Sequence, residues 1–114
     1  MPNPVVHWEI LGTDTKRSRE FYAELFGWHM DIQEHWDYGL VDTHTDVGIN
    51  GGIGPSNGPV RVTIYVQVND LQAYLDEAER LGGKTVMPPT EIPNVVTLAM
   101  FADPDGNIIG LVKE

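Results

Sequence analysis

Apolar and polar residues alternate from Val5 to Leu11, with Val6, Trp8 and Ile10 on one side and His7, Glu9 and Leu11 on the other. A period of two is the signature of a strand. Gly12-Thr13-Asp14 breaks it, and Asp14 or Thr13 can cap a helix. The helix is expected to run to about Phe26, with Ser18, Phe21, Tyr22, Leu25 and Phe26 as its inward stripe, and to stop at Gly27. Short strands follow over residues 28–33, 38–42 and 47–53, and the Gly/Pro-rich residues 54–59 read as a linker.

The pattern then restarts. Residues 61–68 form a strand with Val62, Ile64, Val66 and Val68 on the core side and Thr63, Tyr65 and Gln67 opposite. Asn69 or Asp70 caps a helix whose Leu71, Tyr74, Leu75, Ala78 and Leu81 recur at helical spacing until Gly82-Gly83. Strands over 84–87, 95–101 and 107–112 complete the second half. The last two are joined by the turn Asp103-Pro104-Asp105-Gly106. Residues 87–93, rich in proline, read as a mobile loop over the cleft mouth, or Pro88-Pro89 simply end a strand. An offset of 56 residues aligns Val6 with Val62, Asp14 with Asp70, Leu25 with Leu81 and Gly27 with Gly83. The expected fold class is therefore α+β: two tandem β-α-β-β-β modules, about 4–53 and 60–113, forming a curved, mostly antiparallel sheet around a cleft. The helices would cover one face of that sheet and leave the other for function.

At 114 residues the chain is the size of one domain. It contains no cysteine, which removes disulfides, thiolate catalysis and cysteine-ligated metals. Seven basic against 17 acidic residues give a formal charge of −10. Such a balance argues against nucleic acid and anionic lipid as partners and suits a cationic ligand. No run of 18 apolar residues is present, and the opening Met1-Pro2-Asn3-Pro4 lacks the pattern of a signal peptide, so a cytoplasmic location is expected. Gly51-Gly52-Ile53-Gly54 lacks the lysine of a phosphate-binding loop, and no serine stands in a nucleophile elbow.

The tandem arrangement resembles the vicinal oxygen chelate superfamily, the group of glyoxalase I, bleomycin resistance proteins and extradiol dioxygenases. The residues that carry the resemblance are His7 to Asp14, Arg19-Glu20-Phe21-Tyr22, Leu25-Phe26-Gly27-Trp28, Val66 to Asp70, Leu81-Gly82-Gly83 and Phe101 to Asn107. The resemblance implies a homodimer and, in the enzymes, a divalent metal (Zn, Ni, Fe or Mn) held by histidine on first strands and glutamate on last strands. Carried over position by position, it assigns those roles to His7, Thr63, a residue near Gly52, and Gly110. Only His7 is a metal ligand by type, and stable sites use at least three. No cofactor is therefore expected. The chain reads as a binding protein for an aromatic or cationic small molecule, with His7, Glu9, Thr63, Tyr65 and Gln67 lining the cleft. The alternative is a metal-dependent lyase, isomerase or dioxygenase with an atypical site built on His7 and Glu9. His7 is expected to pair with Glu9 or with a hydroxyl such as that of Tyr65. The segment His35-Trp36-Asp37-Tyr38 is a lid or aromatic wall for a ligand, a dimer contact or a packed hairpin end, and His29 and His44 belong to the surface or to ordinary packing.

Overall fold

Asp14 and Asp70 each open a helix in the computed structural model, which describes residues 2–114. The Asp14 carboxylate accepts the backbone N–H of Arg17 at 3.1 Å, and that of Asp70 accepts the N–H of Ala73 at 3.1 Å. Both satisfy N–H groups that a helix start leaves unpaired. Among the described residues the fold is mixed α+β, with eight strands and two main helices. It divides into two compact units, one spanning His7–Val62 and the other combining residues 2–6 with Thr63–Glu114. Among the described residues no helix is long and apolar enough to cross a membrane.

The His7–Val62 unit contains most of β1 (Val5–Gly12), then α1 (Thr15–Phe26), β2 (His29–Gln33), β3 (Tyr38–Asp42) and β4 (Gly51–Pro55). Its strand order is β2-β3-β4-β1, antiparallel except where β4 pairs parallel with β1. The helix ends where Gly27 takes φ +71°, a conformation that glycine adopts without a Cβ penalty.

The inward stripe expected for α1 is corrected. Phe21, Leu25 and Phe26 are each more than half exposed, whereas Thr15 is buried. Polar anchors set this rotation: Thr15 donates to the Asp37 carboxylate at 2.5 Å, and Arg19 reaches the same carboxylate at 3.1 Å. Tyr22 stacks on Trp28, ring centroids 5.8 Å apart. The strand expected over 47–53 starts only at Gly51 and continues through Gly54 and Pro55, part of the expected linker. Residues 43–50 are held as a loop: Asn50 accepts the N–H of Thr43, and Asp42 accepts that of His44.

The second unit contains most of β5 (Arg61–Val68), then α2 (Leu71–Arg80), β6 (Lys84–Ile92), β7 (Val96–Ala102) and β8 (Ile108–Lys113). Its order is β5-β8-β7-β6, with β5 parallel to β8 and the other pairs antiparallel. Val68, Leu71, Leu75, Ala99 and Leu111 form its core, and Val66, Tyr74 and Phe101 pack against them. Burying such side chains is the main stabilising term, at about 1.5–3 kcal/mol each.

Three further expectations are corrected here. Val62 and Ile64 are exposed, while Thr63 and Tyr65 across the strand are buried, because the core beneath α2 takes in only the Val66–Val68 end of β5. Leu81 is exposed because the helix ends at Arg80. The segment expected as a mobile loop continues β6 to Ile92, with pairing irregularities on both sides of Met87. As the outermost strand of its unit, β6 accommodates Pro88 and Pro89 where their missing donors break no ladder.

Candidate functional site

β1 turns two faces to different surroundings. On one side Trp8 lies 5.1 Å from Trp28, and its indole N–H donates to the carbonyl of Ile49 at 2.9 Å. On the other side His7 and Glu9, two residues apart, point the same way. Tyr38, the first residue of β3, stands between them: its hydroxyl lies 2.9 Å from His7 Nε2 and donates to Glu9 Oε2 at 2.9 Å. The sequence offered Tyr38 as an aromatic wall for a ligand among other roles, but not as the partner of His7 and Glu9. Its position two strands away from β1 hid the contact.

Chemical roles follow from counting protons. A phenol carries one O–H, and here it goes to the carboxylate. His7 Nε2 must then bring its own proton to the phenol oxygen, which selects the Nε2–H tautomer. Burial lowers the His7 pKa from its ordinary 6.5, and the nearby Glu9 carboxylate only partly opposes this. Imidazole, phenol and carboxylate together can receive a ligand N–H or move a proton over short hydrogen bonds.

Tyr38 has this position because β4 is nearly bare. Gly52 and Gly54 pair with Glu9 and Leu11 of β1. A Cβ on Gly52 would fall inside the Tyr38 phenol, and one on Gly54 would strike the same ring. The second unit repeats the device with different strands. Gly110 of β8 pairs with Tyr65 of β5, and a Cβ on Gly110 would fall inside the Tyr65 ring.

Gly52 and Gly110 occupy the positions to which the resemblance assigns metal-ligating carboxylates. Both have tyrosine rings over them instead. Thr63, at the second histidine position, is 1% exposed, and its hydroxyl has no hydrogen-bond partner among the described residues. His7 alone of the four carries a ligand by type, and it is bonded to Tyr38. Among the described residues no three His, Cys, Asp or Glu side chains gather to hold a metal ion. These residues do not fit a divalent metal at those positions.

Of the five residues expected to line the site, His7 and Glu9 are joined through Tyr38. Thr63, Tyr65 and Gln67 follow one another on β5, Gln67 half-buried and the other two buried. In the hairpin segment, Trp36 is half exposed in a short 3-10 turn and makes an edge-on contact with His35. His29 and His44 stack on each other at 5.2 Å, and His44 reaches Asp42 at 3.4 Å.

Comparison with known proteins places these features in context. The sequence profile of the Glyoxalase/Bleomycin resistance protein/Dioxygenase superfamily matches residues 5–111. The anthracycline biosynthesis protein DauV of a Streptomyces species is 29% identical over 118 residues, covering 87% of this chain and 43% of that protein. A glyoxylase-like domain-containing protein of Didymella fabae is 28% identical, covering 87% of this chain and 84% of that protein. The crystal structure of a glyoxalase/bleomycin resistance protein/dioxygenase superfamily member from Vibrio splendidus aligns over 98% of both chains, with a TM-score of 0.67 at 16% identity. The chain spans less than half the length of relatives such as DauV.

Proposed function

This chain belongs to the Glyoxalase/Bleomycin resistance protein/Dioxygenase superfamily, and within it we propose that it is a small-molecule-binding protein that works without the metal. The reading rests on one observation: the two carboxylate positions are glycines overlaid by the rings of Tyr38 and Tyr65. The ligand is an aromatic or cationic molecule received at the His7–Tyr38–Glu9 chain. Burial disfavours a charged imidazole at His7, and the formal charge of −10 draws cations toward the protein. Aromatic surface on the ligand would stack on the phenol ring. The likeness to an anthracycline biosynthesis protein supports a polycyclic ligand.

A second reading is a metal-dependent lyase, isomerase or dioxygenase built on His7 and Glu9. It is favoured by the convergence of both side chains on one phenol oxygen, at 2.9 Å each.

One experiment separates the two. Untagged protein is analysed for zinc, nickel, iron and manganese before and after chelation, and then unfolded in the presence of cationic and neutral aromatic compounds. The binding reading expects substoichiometric metal and a cationic aromatic that raises stability by about 2.7 kcal/mol at 100 times its Kd. Glu9→Gln and Tyr38→Phe should each reduce that gain. A stoichiometric metal lost in His7→Ala would overturn it in favour of the enzyme.

A further inference from the structure

Beside the C-terminal half of α2, on the face of its sheet opposite the Tyr65 ring, lies a recess of about 410 Å³. Every residue around it belongs to the second unit. Val68 and Leu111, 0% and 3% exposed, form the floor. Val66, Tyr74 and Phe101 provide the walls, and the exposed Leu81 stands at the lip. Small-molecule sites commonly have volumes of roughly 300–1,000 Å³.

The chemistry of the lining defines the occupant. Each charged group at the edge is already engaged. Glu77 is bound by Arg80. Asp103 accepts the N–H groups of Asp105 and Asn107 and the Asn107 side-chain amide. One neutral polar pair remains at the mouth, the Asn3 amide donating to the Tyr74 hydroxyl at 3.0 Å. Two aromatic side chains offer flat faces for stacking. A peptide helix, about 10–12 Å across with its side chains, is too wide for a space of this volume.

We propose that this recess is a second small-molecule site, selective for an uncharged fused-ring aromatic that carries a single hydroxyl or carbonyl group. The apolar rings enter between Tyr74 and Phe101. The polar group meets the Tyr74 hydroxyl, which keeps a lone pair and its proton for such a contact beside Asn3. The site is independent of the His7–Tyr38–Glu9 chain and survives if the proposed function there is wrong.

The test uses the whole chain, isotopically labelled, titrated with 2-naphthol and with naphthalene while amide and methyl resonances are followed by NMR. Saturable shifts are expected at Val66, Ala78, Leu81 and Phe101, with 2-naphthol bound more tightly than naphthalene. Ala78→Phe, which fills the recess, should weaken 2-naphthol at least tenfold. Leu81→Trp, a change at an exposed position, should narrow the mouth and weaken it as well if Ala78→Phe does not fold. Tyr74→Phe should bring the two affinities together. His7→Ala should leave both within twofold. Absence of saturable shifts overturns the proposal. So does binding that is lost in His7→Ala but kept in Ala78→Phe, because it puts the probe on the His7 face. Recess shifts that follow protein concentration and ignore naphthol also overturn it, by giving the recess to a second copy of the chain.

Discussion

Two glycines decide what the tyrosines can do. Gly110→Ala would put a methyl group into the Tyr65 ring, and overpacking of this kind costs about 1–3 kcal/mol. In a Tyr65→Ala background the same change should be nearly neutral, a non-additivity that urea denaturation of the four proteins would measure. Additive costs would mean that the ring is not what excludes a side chain at Gly110. His7 makes a separate prediction. Its pKa is lowered by folding, so the unfolded chain takes up the proton first as pH falls. Stability should be complete above the unfolded value of 6.5, decline as pH drops through the lower folded value, and level off below it. In His7→Gln that decline should be shallower, as thermal unfolding between pH 7.5 and 4.5 would show. Sequence placed His7 and Glu9 on one strand face but missed Tyr38, since a contact across 29 to 31 residues leaves no mark in local periodicity.

At the scale of the element, apolar residues on the two helices have unequal weight. Leu75 is 1% exposed in the core beneath α2, whereas Leu25 on α1 is 58% exposed. Leu75→Ala should cost about 2–5 kcal/mol, and Leu25→Ala about 0.5 kcal/mol or less. Chemical denaturation with unchanged m-values checks the pair. Helical spacing alone gave both residues to a core, and the cap candidates, Asp14 or Thr13 and Asn69 or Asp70, included both observed N-caps because capping is a local event within four residues. It could not set the rotation of α1, which depends on Asp37 holding Thr15 and Arg19. The same limit applies to β6. Two prolines read as a loop, but at the edge of a sheet they are compatible with a strand.

For the whole molecule the dominant quantity is charge. With 17 acidic and seven basic residues, encounter with a cationic aromatic should be steered by the field of the protein. Raising ionic strength from about 0.01 M to 0.15 M shortens the screening length from roughly 30 Å to 8 Å. Stopped-flow association should slow over this range, while dissociation changes less. An association rate indifferent to salt would remove the reason for preferring a cation. A neutral fused-ring compound entering the recess beside α2 should show little salt dependence, which gives the two proposed sites distinct signatures.

The sequence by itself determined the fold class, the order of strands and helices, the helix starts and the likeness to the superfamily. Each follows from local rules: a period of two or 3.6, a capping oxygen, a glycine or proline at a break. It also determined which side-chain chemistry is missing, because Gly110 and Gly52 have no donors in any conformation. The tertiary structure decided what occupies the vacated space. Only pairing of β4 with β1 and β3, and of β8 with β5, brings the Tyr38 and Tyr65 rings over those glycines. Only packing leaves a recess open beside α2. Both depend on which side chains share a volume, and volume is filled by residues distant in sequence.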